Sequence, residues 1–464
     1  RFVYSAWLDA GGDPAFVQDA LGFWLVQHAT DQEASFVYRA WLNSDGDPAF
    51  VRDALGCWLA QHATDHEASF VYRAWLNAGG ETAFVRDAIG RWLDQHATDE
   101  AARFVYSAWL TAGGELAFVR DNVSRWLGQH ATDEATRFVY SAWLDARGEL
   151  AFVRDNVSRW LDEHATDHEA SFIYRAWLDA GGETAFVRDA IGRWLAHHAT
   201  DEAAEFVYRA WLDARGELAF VRDNVSRWLT AHGTADNVDH VCRAWLERGG
   251  DFEMVSHAAQ SWMRRNWRSA DAVYLAKYLS RQDEIAEETA EALLLWCARF
   301  AGEPDALSRL ASVIQYKPAF VAAKLDAVTR IAHALLDHTD TTSTVSTACS
   351  GGVVTLVHNI ESNFEDIPEM ESLAERAFVI ALQRGDIFDH RNEAPKFALS
   401  TQIFRPLMRL VYKGQIRVEI HRDDIAHFLA WVNQWPRARR EKVRDTVQGL
   451  SEAHPDRVWS TFTG

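Results

Sequence analysis

A 34-residue unit recurs seven times from the first residue of this chain. Copies begin at Arg1, Ser35, Ser69, Arg103, Arg137, Ser171 and Glu205, and a degenerate eighth begins near Asp239. A fixed period constrains the fold more than any other feature here. Each unit is too small to bury its apolar face alone and must bury it against its neighbours. The expectation is a stack that grows by addition. The 464 residues therefore do not translate into a count of ordinary domains.

The third copy shows the pattern. Phe70, Val71, Ala74 and Trp75 fall at helical spacing, and Tyr72 and Leu76 widen the stripe. This predicts a first helix, helix A, packed on more than one side. Asn77-Ala-Gly-Gly80 ends it, because glycine supplies positive φ. Helix B is predicted to run to about His96 with Phe84, Val85, Ala88, Ile89, Trp92 and Leu93 inward. Asp87 and Arg91 are expected to pair on its exposed side. In the first two copies Asp13-Pro14 and Asp47-Pro48 place an N-cap before proline at the first helical position. Thr64-Asp-His-Glu67 predicts a capping box for the following helix A, repeated by Thr30 with Glu33 and Thr166 with Glu169. Such short connections make antiparallel neighbours, so each copy is a helical hairpin.

The net charge is −20, about −16 of it on the seven repeats. An acidic surface favours solubility and repels phosphate backbones and anionic membranes, so nucleic acid is disfavoured as a partner. Cys57, Cys242, Cys297 and Cys349 show no C-x-x-C spacing. That argues against a disulfide framework or zinc knuckle and for a reducing, cytoplasmic setting. No apolar run reaches the roughly 18 residues of a membrane span, and no signal peptide is visible. The chain opens in mid-helix at Arg1. Upstream sequence is expected, with room for a domain through which the protein self-associates.

The 34-residue period and two-helix unit resemble the tetratricopeptide class of α-solenoid over roughly the first half of the chain. The helix A order is its own: Tyr72-x2-Trp75-Leu76 stands where that consensus has Trp-x2-Leu-Gly-x2-Tyr. The resemblance implies an all-α, right-handed superhelix in which helix A lines a concave, peptide-binding groove. The regularity decays after about Trp262. We read residues 1–270 as the repeats and 271–464 as a divergent helical domain capping the stack. Its expected helices are Asp271–Leu279, Glu287–Phe300, Ala319–Leu336, Ser372–Gln383 and Asp424–Trp435. The polar run Thr339–Gly352 is expected as a long loop.

Function in such a stack resides in columns that vary while the frame repeats. The frame is Phe, Tyr, Ala, Trp and Leu of helix A and the Trp of helix B. On helix A the first, fifth and ninth positions are expected to form one exposed stripe. The first and fifth read Arg1/Ser5, Ser35/Arg39, Ser69/Arg73, Arg103/Ser107, Arg137/Ser141, Ser171/Arg175 and Glu205/Arg209. One Arg per helix is kept while it hops by a turn. The ninth position supplies Asn43, Asn77, Thr111, Asp145, Asp179 and Asp213. The candidate binding residues are these six with Arg1, Ser5, Arg39, Arg73, Arg103, Arg137, Arg175 and Arg209. Two readings stand together. The ladder holds an acidic or C-terminal peptide, or each Arg pairs with an acid of an adjacent repeat.

Two variable residues before Gly-Gly in a 34-residue repeat also resemble the transcription-activator-like effectors, whose turns read DNA bases. Gly-Gly-x-x-Ala-Phe here matches Gly-Gly-Lys-Gln-Ala-Leu there. Where that family has Lys-Gln, this chain has Glu81-Thr82, Glu115-Leu116 or Asp13-Pro14, and an acid facing phosphate repels it.

Histidine recurs at the end of helix B, from His28 to His232, where the helix dipole stabilises it. His62-x3-His66-Glu67 and His164-x3-His168-Glu169 faintly resemble zinc-protease spacing. Near the C-terminus Glu419, His421, Asp423, Asp424 and His427 cluster, and Arg437, Arg439, Arg440, Lys442 and Arg444 form a basic patch. Helix starts and solvated helix faces account for both. No phosphate loop, dinucleotide fingerprint or nucleophile elbow is present. No catalytic group, cofactor or metal site is expected. The expectation is a non-enzymatic protein-binding scaffold or ligand-sensing module. By analogy of architecture it is the recognition part of a larger bacterial, NLR-like defence or signalling protein. The alternative is a nucleic-acid-binding helical array.

Overall fold

The computed structural model describes residues 2–341, 347–364, 367–383, 388–389, 394–395, 401–413 and the single positions 415, 437 and 441. It is all-α apart from a two-residue antiparallel pairing of Phe388–Asp389 with Ala394–Pro395. Contacts divide the chain into two compact units, 1–232 and 233–464. The first holds the seven repeats. The degenerate eighth hairpin, Val238–Glu247 and Phe252–Asn266, belongs to the second.

In the repeats helix A runs from Phe2–Asp9 in the first copy to Ala204–Asp213 in the seventh. Helix B runs from Pro14–His28 to Leu218–His232. Consecutive A helices pack directly on one another, whereas the B helices are more widely spaced. Helix A is therefore flanked by an A helix on each side and by its own B helix, which is why so little of its circumference is exposed.

The first copy is an internal control for what neighbours contribute. Val3 is 77% exposed and Trp7 42%, while Val37 and Trp41, one period on, are 0% and 2%. Burying one large apolar side chain contributes roughly 1.5–3 kcal/mol, so the frame is stable only in company.

Three kinds of bond set the register between copies. The indole Nε1 of Trp92 donates to the Asp65 carbonyl of the preceding repeat at 3.0 Å, and Trp58, Trp126, Trp160, Trp194 and Trp228 repeat it. His96 Nε2 meets the Thr64 carbonyl at 2.9 Å while its Nδ1 meets the Asp99 carboxylate at 2.6 Å. Across the outer turns Arg52, Arg86, Arg120, Arg154 and Arg188 each reach the Glu at the start of the next helix B. Each of these guanidiniums also lies over the next repeat's Phe, as Arg52 over Phe84 at 5.3 Å and Arg154 over Phe186 at 4.8 Å. A fourth bond crosses the same boundary: the Tyr72 hydroxyl donates to the Ala63 carbonyl of the preceding repeat at 2.6 Å. Burial pushes that phenol well above its usual range, so it stays a donor.

The A–B turn forms as predicted where glycine is present: Gly79 adopts φ +78°. Asp45, Arg147 and Arg215 take the same conformation in their copies without it. The second glycine serves a different purpose. A Cβ at Gly80 would lie 2.3 Å from the Trp75 ring, so only glycine lets that indole lie on the turn and donate to the Glu81 carbonyl. Asp13 and Asp47 cap helix B through Ala15 and Ala49, both at 2.9 Å.

Several expectations are corrected. The capping box does not form: helix A starts at Ala68 behind Glu67, which makes no side-chain cap bond. The Thr64 carbonyl instead serves the next repeat's histidine, and a tight backbone turn, Ala68 N–H to the Asp65 carbonyl, starts the helix. Asp87 and Arg91 do not pair, because Arg91 donates to the Leu59 carbonyl of the preceding repeat at 3.4 Å. In the second unit, helices at Ala306–Tyr316, Thr347–Asn363 and Thr401–Tyr412 were not anticipated. The segment read as Ala319–Leu336 is two helices, Pro318–Ala323 and Leu325–Thr341, broken where Lys324 leaves helical geometry (φ −118°). The polar run Thr339–Gly352 is entered by helix from both ends. Thr339 bonds back to the Leu335 carbonyl at 2.8 Å, which lets threonine remain in a helix. Gly352 sits where a Cβ would meet Ser308 at 2.9 Å, allowing its helix to lie on Ala306–Tyr316. The segment Asp424–Trp435 lies outside the described residues.

Candidate functional site: the exposed face of helix A

An α-helix turns about 100° per residue, so the exposed sector of helix A can be located residue by residue. The ninth position is exposed in every copy from Asn43 to Asp213. The fifth is half-buried at Arg39, Arg175 and Arg209 and exposed at Arg73. The first position turns away from this face where it is serine or glutamate. Ser35, Ser69, Ser171 and Glu205 are buried, and Ser69 Oγ donates to the His66 carbonyl at 2.8 Å. The predicted one-five-nine stripe therefore holds at its fifth and ninth positions and fails at the first. Closure of the A row covers its first column.

The position that replaces it is the second, always Phe. Phe36, Phe138, Phe172 and Phe206 are about half exposed, and Phe70 and Phe104 are half-buried against each other with ring centroids 6.4 Å apart. The sequence offered one signal. A residue invariant between copies looked like frame, yet it sits one step outside the Val71–Tyr72 core pair.

The arginines divide into two groups. Arg103 and Arg137, in the first column, bend to Glu100 and Glu134 of their own approach turns at 2.5 and 2.8 Å and cover Phe104 and Phe138 at 4.5 Å. Arg39 and Arg73, in the fifth, lie over aromatic rings: Arg39 is 5.4 Å from Phe36 and 5.9 Å from Phe70, and Arg73 is 4.8 Å from Phe104. Each such contact is worth about 0.5–1 kcal/mol when exposed and holds the guanidinium flat against the helix. Arg175 approaches Asp179 at 3.8 Å. Ser5 is half-buried, and Arg1 lies outside the described residues. The cross-repeat pairing expected of the ladder is partial on helix A, where Arg103 and Arg137 meet acids of the preceding copies and Arg175 stands near Asp145, and regular on the outer turns, where Arg52 through Arg188 make it.

Other chemistry-bearing groups are engaged structurally. Each B-helix histidine stacks on the tryptophan four residues before it, as His96 on Trp92 at 4.8 Å. His66 and His168 lie edge-on to His96 and His198 of the following repeats. Among the described residues no three His, Cys, Asp or Glu side chains are grouped to hold a metal ion. Burial pushes the Cys297 thiol up to about 12 and the Cys242 thiol higher still, so neither forms a thiolate readily. In the second unit Arg409 is buried with Glu361 and Glu375, whose carboxylates accept its hydrogen bonds. Arg437 bonds to Glu441 at 2.8 Å. His421, Asp423, Asp424, His427, Arg439, Arg440, Lys442 and Arg444 lie outside the described residues. No described helix is long and apolar enough to cross a membrane.

The chain matches no protein-family model and no curated protein.

Proposed function

We propose that this chain is a non-enzymatic binding scaffold whose exposed helix A face receives a segment of another protein. The observation that carries the reading is the row of partly exposed phenylalanines, Phe36 to Phe206, interleaved with arginines. Arg and large aromatics dominate the energetics of protein interfaces, and a contiguous apolar surface kept in water marks an interaction site. The 34-residue hairpin unit and the close-packed A row support a tetratricopeptide-like groove. A place as the recognition part of a larger bacterial defence or signalling protein belongs to the same proposal and rests on architecture alone.

The alternative, a nucleic-acid array, has less to support it. The turns that would face phosphates carry Glu81, Glu115 and Glu149, each held by an Arg of the preceding repeat. DNA binding that weakens steeply with salt would reverse this preference.

The test is partner recovery with purified full chain, comparing the unmodified protein, F138A/F172A/F206A, and the outer-face variant R120A/R154A/R188A. A partner lost with the first variant and kept with the second, at unchanged helicity, supports the groove. A partner indifferent to the phenylalanines refutes it.

A further inference from the structure

The exposed helix A face is not uniform along the array. Consecutive A helices pack directly on one another, Arg73 reaches across to the Phe104 ring of the next copy at 4.8 Å, and Asp145 feels Arg175 and Asp179 of the next repeat, so a ninth-position residue faces the fifth and ninth positions of its successor. The 34-residue period then sets the neighbours of every fifth-position arginine. Arg175 stands between Asp145 and Asp179, Arg209 between Asp179 and Asp213, and Arg39 between Asp9 and Asn43. Arg73 stands between Asn43 and Asn77. It is the exposed member of the column, its described contact is the Phe104 ring, and no carboxylate among the described residues pairs with it. Arg39, Arg175 and Arg209 each stand beside at least one aspartate, with Arg175 3.8 Å from Asp179, and Arg73 beside none.

We propose that Arg73, Asn43 and Asn77 form a carboxylate-recognition site for an acidic side chain of an extended peptide, with Phe70 and Phe104 receiving apolar side chains beside it. The inference rests on the scaffold reading and gives it a location and a ligand chemistry. A guanidinium fork suits a carboxylate in bidentate geometry. Held over Phe104, its orientation is already restricted, which lowers the entropy lost on binding. The flanking carboxamides donate N–H to the same group. Asp145, Asp179 and Asp213 repel it, so the charge pattern fixes the register of the peptide towards the second, third and fourth repeats. Stacked helices lie about 8–10 Å apart and an extended chain advances about 3.3 Å per residue. Each repeat therefore spans about three peptide residues.

The probe is a fluorescein-labelled, acetylated and amidated peptide with one central glutamate and leucines about three residues to either side. Its affinity for the full chain is read by fluorescence anisotropy. Two variants use residues that the same columns already hold in other repeats, which keeps the fold intact: R73S and N43D/N77D. A charge-assisted bond is worth roughly tenfold or more in affinity. The glutamate probe should weaken at least about tenfold in both variants and when its glutamate becomes glutamine. D145N/D179N, which frees Arg175, should tighten it by adding a second site. Equal binding of the glutamate and glutamine probes, both weakened by F70A/F104A, would overturn the carboxylate site while leaving the groove standing. No binding of either probe would overturn it too, and partner recovery would then decide the scaffold reading separately. A phosphoserine probe that binds and keeps its advantage over glutamate in R73S would place the anion site elsewhere and also overturn the assignment.

Discussion

Two glycines ten residues apart in the third repeat should respond to alanine with opposite signs. At Gly80 the added Cβ would lie 2.3 Å from Trp75 Cε2, far inside van der Waals contact. Trp75 is 2% exposed and its Nε1 donates to the Glu81 carbonyl at 3.1 Å, so it has nowhere to move without giving up that bond. Overpacking costs about 1–3 kcal/mol and the lost hydrogen bond about 1 kcal/mol. G80A should therefore destabilise by about 2–4 kcal/mol. At Gly90, inside helix B, the added Cβ would meet the Phe118 ring of the next repeat at 3.7 Å, an ordinary contact. Ser124 and Ser158 already occupy this column in other copies. Replacing a helix-interior glycine gains about 0.8–1 kcal/mol of propensity, so G90A should stabilise by about 1 kcal/mol. The measurement is urea denaturation of the full chain, with hydrogen exchange of the third-repeat amides to localise the change, since stacks need not unfold in one step. A neutral G80A would mean that Trp75 does not rest on the turn. A destabilising G90A would mean that helix B does not face the next repeat as described.

Further outcomes follow from other contacts. Trp126→Phe keeps the edge-on contact to Tyr106 but strips the Asp99 carbonyl of its indole donor. It should cost about 1–3 kcal/mol, with faster exchange in the third and fourth repeats. His164 has Asp167 on Nδ1 and the Thr132 carbonyl on Nε2, both acceptors. Burial alone would lower its imidazole, but these bonds outweigh burial and hold it above the usual range. Its contribution is therefore complete below the unfolded value near pH 6.5 and is lost as pH rises through the folded value. Stability should fall as pH rises above about 6.5, and His164→Gln should flatten that slope in urea titrations. In the second unit Arg409→Ala strands the buried Glu361 and Glu375 and should cost about 3–5 kcal/mol, read by exchange of the Thr347–Asn363 helix. On the exposed outer turns Arg86→Ala, which removes the pair with Glu115, should cost less than about 1 kcal/mol.

The sequence by itself determined the hairpin and its period. Apolar residues at helical spacing, proline after Asp13 and Asp47, and paired glycines at the turns are local signals, and each local choice agrees with the same helix–turn–helix unit. Neighbours then follow, because a 34-residue hairpin cannot bury Trp75 and Trp92 on its own. The second unit was less legible. Without copies to compare, the Ala306–Tyr316 and Thr347–Asn363 helices could not be told from their surroundings, and their pairing rests on Gly352 meeting Ser308 and on Asn359 donating to the Ala311 carbonyl at 2.8 Å. Which face of helix A meets water was decided by the tertiary structure. Periodicity gives angles around a helix but not the position of the neighbouring helix. Closure of the A row hides Ser69 and leaves Phe70 at the surface. The roles of Thr64 and His96 were decided the same way, since a carbonyl and an imidazole 32 residues apart become partners only once the repeats are stacked.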